Sequence, residues 1–338
     1  MRVLHVVGGL PSPRFAALQP FVASQIESLR RAGLRLDVLD LSSYGDGWKK
    51  YLRGVGEMRG RVHESEYDLI HAHYAYCGWV SRSQHRTPVV VSLMGDDLMG
   101  SPDARGRQTL RGRADVCATR ILVRCVDHII VKSDEMARLV SRQDAVSVVP
   151  NGVDFELFKP MDRSLASAHF GLDPQRKAIL FVANPAEKRK NFRLAREAVD
   201  VLRSRVSFDC LLWPFYGHSQ AEVPIAMNAA DVLLVTSYQE GSSNAIKEAM
   251  ACDLPVVSVR VGDASEIISG TQNCQLADYD PSDIAAKLAF VLGSGQRSNG
   301  RQRIERLRLE TVAGKLIGVY SHVLEQICSA RNGGGSGT

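Results

Sequence analysis

The sequence has no apolar stretch long enough to span a bilayer, and no cysteine pairs at zinc-binding spacing. Its seven cysteines are scattered among 338 residues, which is typical of free thiols in a reducing compartment. We therefore expect a cytoplasmic protein without a signal peptide or a membrane-spanning segment. Lysine is scarce, with ten among 42 basic residues, and the net charge of +5 favours acidic ligands without requiring nucleic acid as a partner.

Composition excludes a disordered or fibrous chain, because 45% of the residues are hydrophobic and no repeat or low-complexity tract precedes the C-terminus. A domain takes roughly 100–200 residues, so the length predicts two domains. The last six residues, 333–338 (GGGSGT), are typical of an appended tag, and we expect them to add no fold.

Short apolar runs alternate with amphipathic stretches, which predicts α/β domains with parallel sheets. The eleven predicted strands are residues 2–7, 35–41, 68–73, 88–94, 128–132, 146–150, 178–183, 209–213, 231–237, 254–259 and 274–277. The series restarts after the turn at 150–154 (PNGVD), so we place the domains at 1–155 and 165–305, with a helical pattern from 302 to 330. Ligands of such sheets bind beyond the carboxyl ends of the strands.

The loop and predicted helix after the strand at 231–237 carry the most specific pattern. Glu240 and Gly241 lie in the loop. The helix begins with the capping-type residues Ser242, Ser243 and Asn244. Its unpaired amides favour an anion such as a diphosphate, Glu248 on the same helical face suits ribose hydroxyls, and Glu240 suits a sugar. An ordinary capped helix with two surface glutamates is the alternative.

Three further loops follow predicted strands. Lys188, Arg189 and Lys190 form a basic loop after 178–183, either for phosphate or simply solvated. His71 and His73 lie two apart and face the same side of a strand, as site residues or as structural histidines. The loop at 8–13 (GGLPSP) is not a G-x-G-x-x-G motif. Gly8 and Gly9 allow a turn close to a ligand, or a plain turn.

Two basic segments lie in the first predicted domain. One holds Trp48, Lys49, Lys50, Tyr51, Arg53, Arg59 and Arg61. The other, mostly in a predicted helix, holds Arg105, Arg107, Arg111, Arg113, Arg120 and Arg124. Aromatic and basic residues together suit anionic headgroups or an acidic glycan, and solvated helix faces are the alternative. We expect reversible, peripheral contact with the inner face of an anionic membrane.

Several segments, in this order, resemble the retaining GT-B glycosyltransferases of family 4. Glu240 and Glu248 match the family's E-x7-E signature. Residues 240–257 (EGSSNAIKEAMACDLPVV) look especially like the teichuronic- and capsular-polysaccharide branch. The other similar stretches are GGLPSP, DLIHAHYAYCGW, VVVSLMGDDL, VVPNGVDFELF, EKRKNF and MNAADVLLVTS.

The resemblance implies a GT-B architecture, in which two Rossmann-like domains face each other across a cleft. The C-terminal domain would hold a nucleoside-diphosphate-sugar, with a UDP-sugar favoured. The N-terminal domain would hold a glycan, lipid-linked or small-molecule acceptor. A helix at 310–330 would return to the first domain. The implied reaction transfers a sugar with retention of configuration, in polysaccharide or glycoconjugate biosynthesis.

Carried over residue by residue, the resemblance implies three sets. The catalytic set is Glu240, Lys190, His73 and Asp96. The donor set is Gly9, Asn184, Arg189, Lys190, Glu240, Gly241, Ser242, Ser243, Asn244 and Glu248. The acceptor-side set is Gly8, Gly9, His71, His73 and Asp97. Two positions depart from the family, since Asn184 stands where it has an arginine and Met94 where it has a histidine.

We expect no metal and no cofactor, because no D-x-D motif ends a strand of the donor domain and Asp96 and Asp97 are adjacent. A sugar-nucleotide epimerase of the same fold would turn over donor without acceptor. A non-catalytic relative, favoured by the Met94 and Asn184 departures, would bind donor and release no nucleoside diphosphate.

Overall fold

A computed structural model describes residues 1–11 and 19–333. The chain forms two compact units. Unit 1 contains Met1–Gly100, Leu110–Gly152 and the chain from Leu309 onward, and unit 2 contains Ser101–Thr109 and Val153–Arg308. Residues 12–13 of the GGLPSP loop and 334–338 of the C-terminal tail lie outside the described residues.

Each unit contains one parallel sheet, as the alternation of apolar and amphipathic segments predicted. The strands of unit 1 are β1 (Arg2–Val7), β2 (Arg35–Asp40), β3 (Leu69–His73), β4 (Val89–Ser92), β5 (His128–Val131) and β6 (Val146–Val148). Those of unit 2 are β7 (Lys177–Phe181), β8 (Cys210–Pro214), β9 (Val232–Val235), β10 (Val256–Val259) and β11 (Gln275–Ala277). The sheet orders are β2-β1-β3-β4-β5-β6 and β11-β10-β9-β7-β8.

Helices connect the strands and cover the sheets. They are α1 (Pro20–Arg31), α2 (Lys49–Glu64), α3 (Ala75–Arg82), α4 (Asp96–Met99), α5 (Leu110–Leu122), α6 (Asp134–Leu139), α7 (Arg163–His169), α8 (Phe192–Arg203), α9 (Glu222–Ala229), α10 (Asn244–Ala251), α11 (Ala264–Ile268), α12 (Pro281–Ser294), α13 (Gly300–Arg303) and α14 (Leu309–Gly333). In the described residues, no helix has both the length and the apolar character needed to cross a bilayer.

The sheet of unit 1 is covered on both faces, because alternate residues of each strand point to opposite sides. Val3 and Leu69 pack with α1 and with Leu316 and Tyr320 of α14. Leu4, on the opposite face, belongs to a second cluster packed under α2, α3 and α5. Unit 2 has one large core around β7, β9 and β10. Burial on both faces explains why inner strands such as β4 and β9 are nearly continuous apolar runs in the sequence.

The predicted helix over 302–330 is broken in the structure. α13 ends at Arg303, a 3₁₀ turn follows at Glu305–Leu307, and α14 begins only at Leu309. Arg308, between them, is extended and lies beside Val153 as an isolated bridge, which interrupts the helical hydrogen bonding. At its other end α14 continues to Gly333, the first residue of the segment predicted to be an appended tag.

Candidate active site

Glu240 is the centre of a charged group at the carboxyl edge of the unit 2 sheet. Lys190 Nζ lies 2.7 Å from its Oε1 and Arg189 Nη1 lies 2.8 Å from its Oε2. The hydroxyl of Ser237 donates to Oε1 at 2.8 Å. Burial by itself would raise the pKa of Glu240, but the two cations outweigh it and lower the pKa to about 2. The carboxylate therefore stays ionised.

Two loops hold this group in place. The β7–α8 loop forms a 3₁₀ turn at Lys188–Lys190 and ends at Asn191, whose φ of 53° lies in the left-handed region. Thr236 Oγ1, just after β9, lies 3.1 Å from the carbonyl oxygens of Lys190 and Asn191. The amide of Tyr238 donates to the carbonyl of Arg189 at 2.9 Å. The ends of β7 and β9 therefore bring the predicted basic loop to the predicted Glu240 loop.

Arg189 supplies the second positive charge at this edge. Asn184, where the resembled family has an arginine, is exposed, and its Oδ1 accepts from the amide of Ala186 within its own turn. Lys188 is exposed as well, whereas Arg189 is half-buried and pairs with Glu240.

The helix predicted after Glu240 is α10, which has Ser243 as its N-cap, without a side-chain cap hydrogen bond. Its first amides therefore do not bond to that hydroxyl and keep the positive end of the helix dipole near Glu240. Glu248 is half-buried one turn further on. Burial raises the pKa of Glu248 to about 7, while Lys247 and Lys190 oppose that rise. Whether these groups bind a donor remains a prediction.

In unit 1, Gly8 lies at the end of β1, where its carbonyl accepts from Lys50 Nζ of α2. Tyr51 stands beside them, and its ring centre is 5.2 Å from that of Tyr76. Tyr74 adjoins Tyr76 at 5.9 Å and has a φ of 85°, unusual for an aromatic residue. Sequence analysis did not single out Tyr74 or Tyr76, although both follow closely on His71 and His73.

His71 and His73 were predicted on the acceptor side, and His73 as catalytic, but both side chains are fully buried. His71 bonds to Tyr320 of α14 at 2.6 Å and to Ser92 at 2.8 Å. His73 Nε2 lies 2.9 Å from Nδ1 of His5. Burial lowers the pKa of each of these imidazoles. The acceptor-contact prediction was therefore wrong, because α14 and β1 enclose these rings.

Asp97 is another predicted acceptor-side residue that the structure places in the core. It is 1% exposed, and its carboxylate accepts from the backbone amides of Met94, Gly95 and Ala75. Burial raises the pKa of Asp97 to about 6. This carboxylate therefore holds the β4–α4 turn, and the acceptor role was wrong. Asp96, half-buried at the start of α4, stays a prediction.

The second arginine-rich segment was predicted to be mostly helical, and the structure shows that about half of its arginines lie outside a helix. α5 begins at Leu110, so Arg105 and Arg107 precede it. Their amides donate to the carboxylate of Asp103 in a turn, and this turn belongs to unit 2. Only Arg111, Arg113 and Arg120 lie on α5.

Comparison with known proteins matches both halves of the chain. Residues 3–152 match the family described as Glycosyl transferase 4-like domain, and residues 212–294 match Glycosyl transferases group 1. The D-inositol 3-phosphate glycosyltransferase 2 of Catenulispora acidiphila is 27% identical, over 78% of this chain and 73% of its own length. The D-inositol 3-phosphate glycosyltransferase of Mycobacteroides abscessus is 29% identical, over 78% and 68%.

Solved structures share the fold across nearly the whole chain. Sucrose-phosphate synthase of Thermosynechococcus elongatus has a TM-score of 0.79 and 18% identity, covering 96% of this chain and 99% of its own. HepE of Anabaena, solved with UDP, has a TM-score of 0.69 and 16% identity, covering 95% and 99%. The chain is thus a glycosyltransferase of the GT-B type, with a glycosyl transferase 4-like domain followed by a group 1 domain.

Proposed function

We propose that this glycosyltransferase moves a sugar from a nucleoside-diphosphate-sugar to an acceptor hydroxyl, with retention of configuration. The observation that carries the proposal is the Lys190–Glu240–Arg189 group beside the start of α10. Both features suit a diphosphate, one through positive side chains and the other through helix amides. HepE has been solved with UDP and with UDP-glucose, so a UDP-sugar is the first donor to test.

The chemistry follows from where charge develops. Breaking the bond between the anomeric carbon and the diphosphate oxygen leaves negative charge on that oxygen, which Lys190 and the α10 amides would stabilise. The acceptor hydroxyl forms the new bond on the same face of the sugar. Its proton passes to the departing diphosphate oxygen. An oxocarbenium-like state between these events gives retention.

Glu240 would change partners in this cycle. Lys190 and Arg189 both pair with its carboxylate, and a diphosphate competes for the same two cations. When the diphosphate binds these cations, the Glu240 carboxylate would be able to accept a hydrogen bond from a hydroxyl of the sugar. Glu240 would thus keep the two cations positioned before the donor binds and contact the sugar afterwards.

For the acceptor, we propose a polyol or sugar phosphate as the first class to test. Relatives of this chain are named D-inositol 3-phosphate glycosyltransferases. Lys50 with Tyr51, Tyr74 and Tyr76 offers one ammonium and several half-buried rings at the carboxyl edge of the unit 1 sheet. A glycan or a lipid-linked glycan, as in polysaccharide biosynthesis, is the second class. We further propose a cytoplasmic enzyme that contacts anionic membranes peripherally.

The test combines a donor panel with an acceptor panel. UDP-glucose, UDP-N-acetylglucosamine, GDP-mannose and ADP-glucose would each be incubated with D-inositol 3-phosphate, with a lipid-linked glycan and with no acceptor. We expect nucleoside diphosphate release that depends on acceptor, and a product whose anomeric configuration by NMR matches the donor. Isomerised donor without acceptor would instead indicate an epimerase. Binding without release would indicate a non-catalytic protein.

A further inference from the structure

A second polar group adjoins the Glu240 loop, formed by Lys247, Ser242 and Asp263. Lys247, on α10, is fully buried, and its Nζ donates to Ser242 Oγ at 3.0 Å. The Ser242 hydroxyl lies 2.5 Å from Asp263 Oδ2. Because an ammonium only donates, the hydroxyl proton of Ser242 is free to donate to the carboxylate. The direction of both hydrogen bonds is therefore fixed.

Asp263 reaches this position because the loop after β10 packs directly on the Glu240 loop. Gly262, just before it, has a φ of 52°. A Cβ atom there would lie 2.7 Å from the carbonyl oxygen of Glu240 and 3.3 Å from that of Gly241. Only glycine allows this close approach in that backbone conformation. Asp263 is thus held beside the loop that carries the proposed sugar contact.

The second carboxylate oxygen of Asp263, Oδ1, has no hydrogen bond to Ser242. Asp263 is 8% exposed, and its Oδ1 is buried with no hydrogen-bond partner among the described residues. A buried carboxylate oxygen without a donor is unfavourable, so such an atom points to a ligand or an ordered water. Burial also raises the pKa of Asp263, which a further donor would offset.

We propose that Asp263 Oδ1 accepts a hydrogen bond from a hydroxyl of the transferred sugar, and that Ser242 and Lys247 are positioning residues for it. This inference rests on the proposed function. A carboxylate repels the diphosphate, for which Lys190 and Arg189 are the proposed partners. It attracts hydroxyl donors, which the sugar supplies. The ribose of the nucleotide also carries hydroxyls, but these are assigned to Glu248, so the hydroxyls that remain for Asp263 are those of the transferred sugar.

The experiment compares each sugar nucleotide with its bare nucleoside diphosphate. Dissociation constants would be measured for UDP and UDP-glucose, ADP and ADP-glucose, and GDP and GDP-mannose. A hydrogen bond to a charged group is worth roughly 10- to 100-fold in affinity. We expect Asp263→Ala to weaken the sugar nucleotide by about that factor and the bare diphosphate by less than about twofold. Asp278→Asn, an exposed aspartate near Arg260, is the matched control.

Further variants separate positioning from folding. Asp263→Asn keeps the side-chain shape, and Ser242→Ala removes only the hydroxyl that orients the carboxylate. Both should weaken sugar-nucleotide binding selectively, and their double variant should be non-additive, because the residues act through one hydrogen bond. Equal losses for the bare diphosphate, or no loss in any Asp263 variant, would overturn the proposal. A wild type that binds none of the six nucleotides would overturn it together with the proposed function.

Discussion

Glu240 is bound by two cations, and the proposed function assigns the same two cations to the diphosphate. Lys190 and Arg189 approach different carboxylate oxygens, so each cation has its own partner before a ligand arrives. The salt bridges are largely buried, and breaking one of them without a substitute would leave an uncompensated charge. Loss of one of these cations should therefore affect both the resting site and the reaction.

Lys190→Ala is expected to slow the sugar transfer strongly. Losing one donor to the departing diphosphate costs about 2–4 kcal/mol of transition-state stabilisation. The measurement is turnover at saturating donor, with the melting temperature as a folding check and exposed Lys188→Ala as the control. Unchanged turnover in a folded Lys190→Ala enzyme would refute the diphosphate assignment.

Glu248 is expected to make donor binding depend on pH. Its pKa is raised to about 7, so it loses its charge as the pH falls through that value. If it accepts hydrogen bonds from ribose, donor affinity should fall below about pH 7 and the pH dependence of affinity should vanish in Glu248→Gln.

Glu240, with a pKa of about 2, stays ionised, and Glu240→Gln should lower the single-turnover rate more than the donor affinity. Affinity and rate profiles that are the same for both variants would contradict this division of roles.

Single residues were predicted best where the reason is local. The pairing of capping residues with Glu240 follows from adjacent sequence, and the structure brings Lys190 to the same place. The histidines were misjudged because a period of two shows that they share a face without showing what covers it. Tyr320, 249 residues after His71, covers that face. Asp97 was misjudged because an adjacent turn binds its oxygens.

At the scale of elements, α14 is joined to the unit 1 sheet by a polar cluster inside an apolar interface. His5 (β1), His71 and His73 (β3), Ser92 (β4), Lys132 after β5 and Tyr320 (α14) form the cluster. Burial and then Arg30 lower the pKa of His5 to about 3. The folded cluster therefore resists protonation that the unfolded chain accepts.

Acid should loosen this cluster. Between about pH 6.5 and pH 3 the unfolded chain binds protons that the buried imidazoles do not, so the free energy of unfolding falls as pH falls, by up to about 1.4 kcal/mol per pH unit for each group. Asp97 and Glu248, whose pKa values are raised, act in the opposite direction. Urea unfolding of wild type and His5→Gln at several pH values isolates the effect. The variant should show the shallower slope, and identical slopes would contradict the argument.

The start of α2 is the element best suited to a membrane surface. Trp48 and Leu52 are 66% and 63% exposed, with Lys49 and Arg53 exposed beside them. Each basic residue near an anionic surface contributes about 1 kcal/mol, and the attraction fades within a Debye length. We expect co-sedimentation with anionic vesicles at low salt that is lost at high salt and in a Trp48→Ala, Lys49→Ala, Arg53→Ala variant. Arg111→Ala, Arg113→Ala on α5 tests the second basic segment in the same assay, and equal binding to neutral vesicles would refute the prediction.

All eleven predicted strands are present. Strands such as β9 and β10 are buried throughout and are nearly continuous apolar runs, whereas the edge strand β2 (RLDVLD) mixes apolar and charged residues. The bounds differ by a few residues, since hydrogen bonding and not hydropathy decides where a strand ends. The helices were harder to predict, as the 105–107 turn shows. The carboxylate of Asp103 accepts hydrogen bonds from two backbone amides there. Such a bond to a short polar side chain competes with helix formation, and the periodicity of apolar residues does not reveal it.

At the scale of the whole molecule, the proposed function assigns the donor to the sheet of unit 2 and the acceptor to the sheet of unit 1. Unit 2 has its cations and the start of α10 at the carboxyl ends of β7 and β9, while unit 1 has its aromatic rings at the carboxyl ends of β1 and β3. Both placements follow the general rule that parallel sheets bind ligands at that edge. Unit 2 reaches this arrangement with five strands, and one helix, α9, joins β8 to β9.

This division also bears on metal dependence. A departing diphosphate needs positive charge, which either a divalent ion or the protein supplies. Among the described residues, the histidine, cysteine and carboxylate side chains that approach closely enough to share an ion are His5, His71 and His73, which lie in unit 1. Both ring nitrogens of His71 are hydrogen-bonded, one to Tyr320 and the other to Ser92. The buried Lys132 ammonium adjoins the cluster and would repel a cation.

We therefore expect the transferase activity to survive chelation. Asp97 accepts hydrogen bonds from backbone amides with both carboxylate oxygens, so the adjacent Asp96–Asp97 pair does not offer two carboxylates to a metal. In unit 2 the protein's own cations, Lys190 and Arg189, are the groups that we propose bind the diphosphate. Nucleoside diphosphate release would be followed before and after EDTA treatment and dialysis. Activity within about twofold of the untreated enzyme supports stabilisation by Lys190 and α10. Complete loss, restored by Mg²⁺ or Mn²⁺, would show that an ion carries the charge instead.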